Sequence, residues 1–302
     1  MPNPKAQPDL LKLGERLLTQ GPVKTLRTPK RVRIQLDSTV VADTTSALYV
    51  WEHEYYPFYY VPLSTFREGA LKPKEDEENE KAAPSSSPSS APSPSFYVAT
   101  LTAGAGAGGQ RTTTDRVLVF SQDLPPNSAA RGLAGLARVE FSAPGAAWFE
   151  EDERIYVHPR DPYKRIDILP STRPVRVFVE GRLVASAPSS MHLYETGLPV
   201  RYYLPATALA ATDDGLGLVR ESGTTTQCPY KGEANYYSVV LPPGKGEGKG
   251  EGEETVVKDV IWYYRTPTHE SARVAGLLCF YNEKVDIELD GKMLERPTSI
   301  FA

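Results

Sequence analysis

Thr226–Val239 (TQCPYKGEANYYSV) sets a thiol and an amine three residues apart on what reads as a turn. Pro229 and Gly232 bracket the turn, which carries Cys228 and Lys231 on it or its flanks, ahead of a strand over Ala234–Val240. An ammonium beside a thiol favours the nucleophilic thiolate, so Lys231 can make Cys228 reactive. Lys231 can alternatively grip an anionic group of a substrate, or act as a base where it is desolvated. The plainer reading makes Cys228 a small buried hydrophobe and Lys231 a surface turn residue, since no base partner for the thiol is identified.

A second cluster lies just upstream. Glu195 opens the turn Glu195-Thr196-Gly197-Leu198-Pro199 ahead of Arg201-Tyr202-Tyr203. An acid beside an arginine and two phenols can form the wall of a polar pocket, or Glu195 can serve as a structural hydrogen-bonding partner. Trp262, Tyr263 and Tyr264 alternate faces of one strand, so some are core and others can line a pocket. The candidates are therefore Cys228, Lys231 and Glu195 for chemistry, with Arg201, Tyr203, Tyr230, Tyr236 and Trp262 for ligand binding.

Other motifs read as structure. Gly104-x-Gly106-x-x-Gly109 matches a dinucleotide fingerprint only formally, because a strand follows it where a helix N-terminus is required. It reads as a hairpin tip. Glu150-Glu151-Asp152-Glu153 reads as a solvated helix end. His53, His158, His192 and His269 are scattered, with no CxxC or HxxxH spacing, so no metal site and no cofactor are expected.

The elements that position these residues come in two copies. Arg31–Phe66 lies on Pro174–Leu209 without a gap, at a constant offset of 143. Identical are Val32/Val175, Arg33/Arg176, Val41/Val184, Ala42/Ala185, Ser46/Ser189, Glu52/Glu195, Tyr59/Tyr202, Tyr60/Tyr203 and Pro62/Pro205. Each copy opens with strand alternation, Val32, Ile34, Leu36 and Val175, Val177, Val179. Hairpin turns at Asp37-Ser38 and Glu180-Gly181 follow. Phe96–Leu101 resembles Tyr236–Leu241, and Thr113–Phe120 resembles Val257–Tyr264. Helices are expected at Ser128–Ala137 and His269–Phe280, then last strands at Arg154–Val157 and Lys284–Leu289. Ahead of the first copy, Leu10–Leu18 has the spacing of a short amphipathic helix.

The expected organisation is an N-terminal helical extension over 1–30, a first module over 31–157, a linker over 158–173 and a second module over 174–302. Residues 72–95, charged and then Ser/Pro-rich, read as a disordered insertion in the first module. Residues 242–254 read as a low-complexity hairpin tip in the second. The fold class is mainly β: two tandem antiparallel modules, each with about one helix.

Composition narrows the partners. A net charge of −4 gives no electrostatic reason to expect nucleic acid or an anionic membrane. No apolar run approaches a membrane span, and the N-terminus does not read as a secretory signal. Two isolated cysteines do not make a disulfide scaffold. Cytosol or nucleus is the expected compartment.

The set E-T-G-L-P-x-R-Y-Y-L-P, T-x-C-P-Y-K-G-x-A-x-Y-x-S-V, a D-x-x-W-x-Y strand and A-G-x-x-x-F-Y-x-x-x-V-D resembles the "domain of unknown function 427" family. Trp148–Asp167 resembles the junction of its two-copy members. The first copy departs from the pattern by lacking Cys-Pro-Tyr-Lys-Gly. The resemblance implies an antiparallel fold of the β-tent type; the paired CxxC zinc ligands of related folds are missing here. The functional expectation is a small-molecule site in the second module, belonging to a metal-independent enzyme that uses thiol or acid–base chemistry. The alternatives are a non-enzymatic interaction scaffold, and a nucleotidyltransferase-type activity implied only by a label the family has carried. Protein partners are not specified.

Overall fold

The fold is taken from a computed structural model that describes residues 8–74, 95–104, 111–210, 218–242 and 254–299. The chain divides into two units, Pro2–Asp161 and Pro162–Ala302. Most of the expected insertion and hairpin tips (75–94, 105–110, 243–253) lies outside the described residues.

The N-terminal unit opens with α1 (Leu10–Gln20). It continues through β1 (Lys24–Arg27), β2 (Val32–Leu36), β3 (Thr39–Thr44), β4 (Leu48–Trp51), β5 (Phe58–Pro62) and β6 (Leu71–Pro73). Then come β7 (Phe96–Thr102), β8 (Thr113–Phe120), β9 (Leu136–Val139), β10 (Ala146–Glu150) and β11 (Glu153–Ile155). The C-terminal unit runs β12 (Ile166–Ser171), β13 (Val175–Val179), β14 (Arg182–Ala187), β15 (Ser190–Glu195), β16 (Arg201–Leu204) and β17 (Val219–Cys228). It ends with β18 (Gly232–Leu241), β19 (Thr255–Tyr264), β20 (Leu278–Phe280), β21 (Asp286–Leu289) and β22 (Lys292–Met293).

Each unit pairs these into two antiparallel sheets. A seven-stranded sheet runs β1-β4-β5-β9-β8-β7-β6 in one and β12-β15-β16-β20-β19-β18-β17 in the other. A four-stranded sheet runs β11-β10-β2-β3 in one and β14-β13-β21-β22 in the other. The modules correspond strand for strand, β1 with β12 through to β11 with β22. They also share their irregularities. Bulges fall at Ile34/Gln35 and Val177/Phe178, and again at Ala99/Leu101 and Tyr237/Val239. The first hairpin turn has positive φ at both central residues in each copy, 43° and 65° at Asp37-Ser38 and 47° and 74° at Glu180-Gly181. Such turns match the twist of the flanking strands. Only the second copy places a glycine there.

Alternation drives the packing. Val32, Ile34 and Leu36 face Tyr49, Tyr59, Val61, Val117 and Val119 across the first sandwich, with Trp148 between them. Val175, Val177 and Val179 do the same with Leu204, Ile261, Tyr263 and Phe280 in the second. Full burial of each such side chain contributes about 1.5–3 kcal/mol.

The opposite face of the large sheet is treated differently in the two units. In the first, α1 lies on it. Asp9 caps the helix by accepting from the Leu11 and Lys12 N–H groups at 3.1 and 3.2 Å. Leu10, Leu13 and Leu17 pack onto Val50, Tyr60, Phe96, Leu118 and Phe120. Gly14 lets the helix come close, since a Cβ there would sit 2.4 Å from the Phe96 ring.

Four local expectations are corrected. The helices expected at Ser128–Ala137 and His269–Phe280 are short 3-10 turns, Arg131–Leu133 and His269–Val274, followed by β9 and β20. Gly135 and Gly276, at φ 71° and 68°, end each turn and send the chain out extended. The last strands that match are β10 with β21, not Arg154–Val157 with Lys284–Leu289, because both pair with the opening strand of their module. Phe96 corresponds by register to Ala234 and not to Tyr236: Phe96 opposes Phe120 as Ala234 opposes Tyr264. Finally, Glu150–Glu153 is a hairpin turn between β10 and β11, not a helix end. The segment expected as a linker also supplies an edge strand, β12, and β1 lies within the expected N-terminal extension.

Candidate functional site

The exposed-end hairpin of the second module builds the site. The β17–β18 ladder closes with Cys228 opposite Gly232, leaving Pro229-Tyr230-Lys231 as the turn. Gly232 adopts φ 97°, a conformation disfavoured for residues with a Cβ. The turn is tied down from the 3-10 segment that follows β19. Thr268 Oγ1 and Ser271 Oγ donate to the Tyr230 carbonyl, and the Thr268 N–H donates to the Lys231 carbonyl at 3.1 Å.

This anchoring sends Lys231 inward, where it is 8 % exposed. It is therefore not a surface turn residue. Its Nζ donates to Glu195 Oε2. The other oxygen, Oε1, is met by Lys164 Nζ at 3.2 Å, and the same ammonium lies 5.5 Å from the centroid of the buried Tyr230 ring. Burial opposes the Lys231 charge, but the Cys228 sulfur and the Glu195 carboxylate beside it outweigh burial and hold the amine above the ordinary lysine range. Lys231 is thus held as a cation paired with Glu195. Burial likewise works against the Glu195 carboxylate, and Lys231 and Lys164 together hold it below the usual glutamate range.

The aromatic candidates sit on the same sheet face. Tyr203 opposes Cys279, Cys279 opposes Trp262, and Trp262 opposes Tyr236 across successive strands. Trp262 Nε1 donates to Tyr203 OH at 3.1 Å, and Tyr236 OH shares a 2.7 Å hydrogen bond with Thr226 Oγ1. Burial raises Tyr203 and Tyr264 well above the phenol range, so both stay neutral donors. The expected residues Glu195, Tyr203, Cys228, Tyr230, Lys231, Tyr236 and Trp262 therefore share one face or the turn at its end.

Arg201 differs from expectation. Its fork is held by both Glu283 oxygens at 2.6 Å and by Asn282, above the Trp262 ring. A guanidinium so paired is not free to grip a ligand. Lys164 is the cation the sequence reading missed; it sat in a stretch read as a polar linker, and only the pairing of β12 with β15 brings it to Glu195. The two thiols also separate: Cys228 is half-buried, whereas Cys279 is fully buried and pushed well above the thiol range by desolvation. Among the described residues, no group of three or more His, Cys, Asp or Glu is placed to hold a metal ion. A cleft of about 490 Å³ lies in the other module, lined by Lys74, Thr100, Thr113–Arg116 and Pro144, and contains none of the candidates. No helix among the described residues is long and apolar enough to cross a membrane.

The sequence model of the family described as "Domain of unknown function (DUF427)" matches residues 24–81 and 167–291. These segments span more than half of the chain, and the chain belongs to that family. Both matches start at the equivalent edge strand, Lys24 in β1 and Asp167 in β12, at the same offset of 143 as the internal repeat. Neither match includes α1, and the first ends before β7. No curated protein matches the chain.

Proposed function

We propose that the second module takes up a small molecule carrying a negative or strongly polar group beside the Glu195–Lys231–Lys164 cluster, and that Cys228 is the group that reacts with it. The observation that carries this reading is one carboxylate met by two lysines, one on each oxygen, next to a half-exposed thiol. One cation would balance Glu195. The second leaves a positive surplus that the Cys228 sulfur, or an anionic group of a ligand, offsets. Cys228 is then the nucleophile, Lys231 the fixed charge beside it, and Glu195 the positioning residue for Lys231. Tyr203, Tyr236 and Trp262 support the turn from below.

Iodoacetamide labelling of the native protein near neutral pH tests this directly. Cys228 should react quickly and Cys279 only after unfolding. A metabolite-library thermal-shift screen should then yield ligands that protect Cys228 and lose their effect on Cys228→Ala and Lys231→Ala. A Cys228 inert until the chain unfolds would sink the thiol mechanism. Stabilisation by a nucleoside triphosphate that survives Cys228→Ala would favour the nucleotidyltransferase reading instead.

A second reading, an interaction scaffold, draws on how completely aromatic side chains fill the site face, with Tyr203, Tyr236, Trp262 and Tyr264 all buried. It expects deletion of residues 75–94 to abolish partner capture without changing stability.

A further inference from the structure

On the other face of the same sheet, two buried polar atoms have no hydrogen-bond partner: Ser190 Oγ and His192 Nε2. Ser190 is 7 % exposed and His192 3 %. Both lie on β15, two residues apart, so they point to the same side. His192 opposes Tyr202 across the ladder, with the rings edge to face at 4.9 Å. Burial, with the Arg173 charge adding to it, lowers the His192 imidazole below its ordinary range.

The first module shows how this position closes when it is complete. There Tyr49, the counterpart of His192, stacks on Tyr59 at 4.8 Å, and Tyr59 OH lies 2.9 Å from both Tyr49 OH and Glu150 Oε1. Lys30, the counterpart of Arg173, donates to Glu150 Oε2. Glu150 pairs with Val32 as Leu289 pairs with Val175, so Leu289 occupies the place of the acid in the second module. That module keeps the phenol and the cation, adds a serine (Ser190 for Ala47) and a histidine, and has lost the carboxylate they would bind.

We infer that the Ser190–His192–Tyr202 group, with Arg173 as the counterpart of Lys30, is a binding site for a small-molecule carboxylate; it supplies the acid that the second module lacks, reaching the group from the side of Leu169 and Tyr194 and not through the place that Leu289 fills. His192, Ser190 and Tyr202 can donate hydrogen bonds to its oxygens, and Arg173 supplies the charge. Leu169 and Tyr194, exposed and on the same side, flank the group, so the acid should carry an apolar body. Buried polar atoms without partners are costly, and a carboxylate would satisfy them. This site is separate from the Cys228 cluster, which lies on the opposite face.

The test is an NMR titration of the whole chain with benzoate, following the His192 imidazole, with benzamide as the uncharged control. Benzoate should shift the His192 signals to saturation in the millimolar range, and benzamide should not. Arg173→Ala, an exposed change that spares the fold, should weaken benzoate roughly tenfold, as the loss of one charge-assisted contact implies. Leu289→Glu should restore the internal acid and abolish the response. The proposal is overturned if benzoate leaves His192 unmoved, if benzamide acts as strongly, or if Arg173→Ala binds like the parent.

Discussion

Glu52 and Glu195 occupy the same position in the two modules, yet they are neutralised in different ways. In the first module the cation is Arg138, on β9. It donates to Glu52 and, at 2.9 Å, to Glu140, while Tyr60 OH donates to Glu52 at 3.0 Å. Arg138 is 1 % exposed, and helix α1 packs on the same sheet face. In the second module Cys279 stands where Arg138 would be, and the cations come from a turn and from the start of the unit. A charge fixed on a central strand under a helix is a structural tie. A charge delivered by a hairpin turn, with a thiol at its base, is the arrangement that can meet a ligand. The same frame and the same acid are therefore neutralised from different elements, and the proposed site lies in the module where the counter-charge comes from a turn.

Arg138→Ala should break this comparison most severely. It strands the buried Glu52 and leaves Glu140 with Arg116 alone at 3.9 Å, and breaking a buried pair costs about 3–5 kcal/mol; denaturant unfolding should show the loss in the first module. Leu17→Ala, at a fully buried helix position, should cost roughly 2–5 kcal/mol by opening a cavity under α1. The second module, where no counterpart of α1 was found among the described elements, should keep its own transition in both variants. Lys231→Met should cost less, about 2 kcal/mol, below the usual loss for a broken buried pair because Lys164 still meets Glu195. It should also slow alkylation of Cys228.

Acid should separate the modules by sign. Glu195 is held below its ordinary value of 4.5, so its contribution is complete above that value and is lost as pH falls through the lower folded value. Glu283, paired with Arg201, behaves alike. Burial pushes Glu52 up despite Arg138, with Glu140 adding to the push, so its contribution is lost on raising the pH and regained toward 4.5. Pulsed amide exchange read by mass spectrometry should find the second module opening first on acidification. Simultaneous opening would count against this charge assignment. The smallest effect is expected at the first hairpin: Ser38→Gly, at φ 65°, should stabilise by roughly 0.5–1 kcal/mol, which thermal unfolding can resolve.

Much of the fold was legible because it rests on local pattern. Alternation at Val32–Leu36 and Val175–Val179 and the two-residue turns fix strands and hairpins within a few residues of chain. Arg138 and Glu140 were not legible. The segment just before them, Ser128–Ala137, reads as a helix, and that reading hides β9 and the alternation that runs from Arg138 in the strand to Glu140 just beyond it. At the site, Cys228, Lys231 and Glu195 stood out by residue type, but nothing near Arg201 in sequence announced that Glu283, more than eighty residues on, would claim its guanidinium.

The sequence by itself determined that the chain is duplicated, which residues alternate into each core, and that Cys-Pro-Tyr-Lys-Gly occurs once. Those are properties of neighbouring residues and of repeated spacing. Only the tertiary structure decided which charges are satisfied. Pairing β12 with β15 brought Lys164 to Glu195, and the tie from Thr268 and Ser271 turned Lys231 from a turn residue into a buried cation. It also left Ser190 and His192 without partners, opposite the leucine that replaces an acid. Electrostatic compensation depends on distances across strands, and strand order, which the linear spacing of residues does not encode, sets those distances.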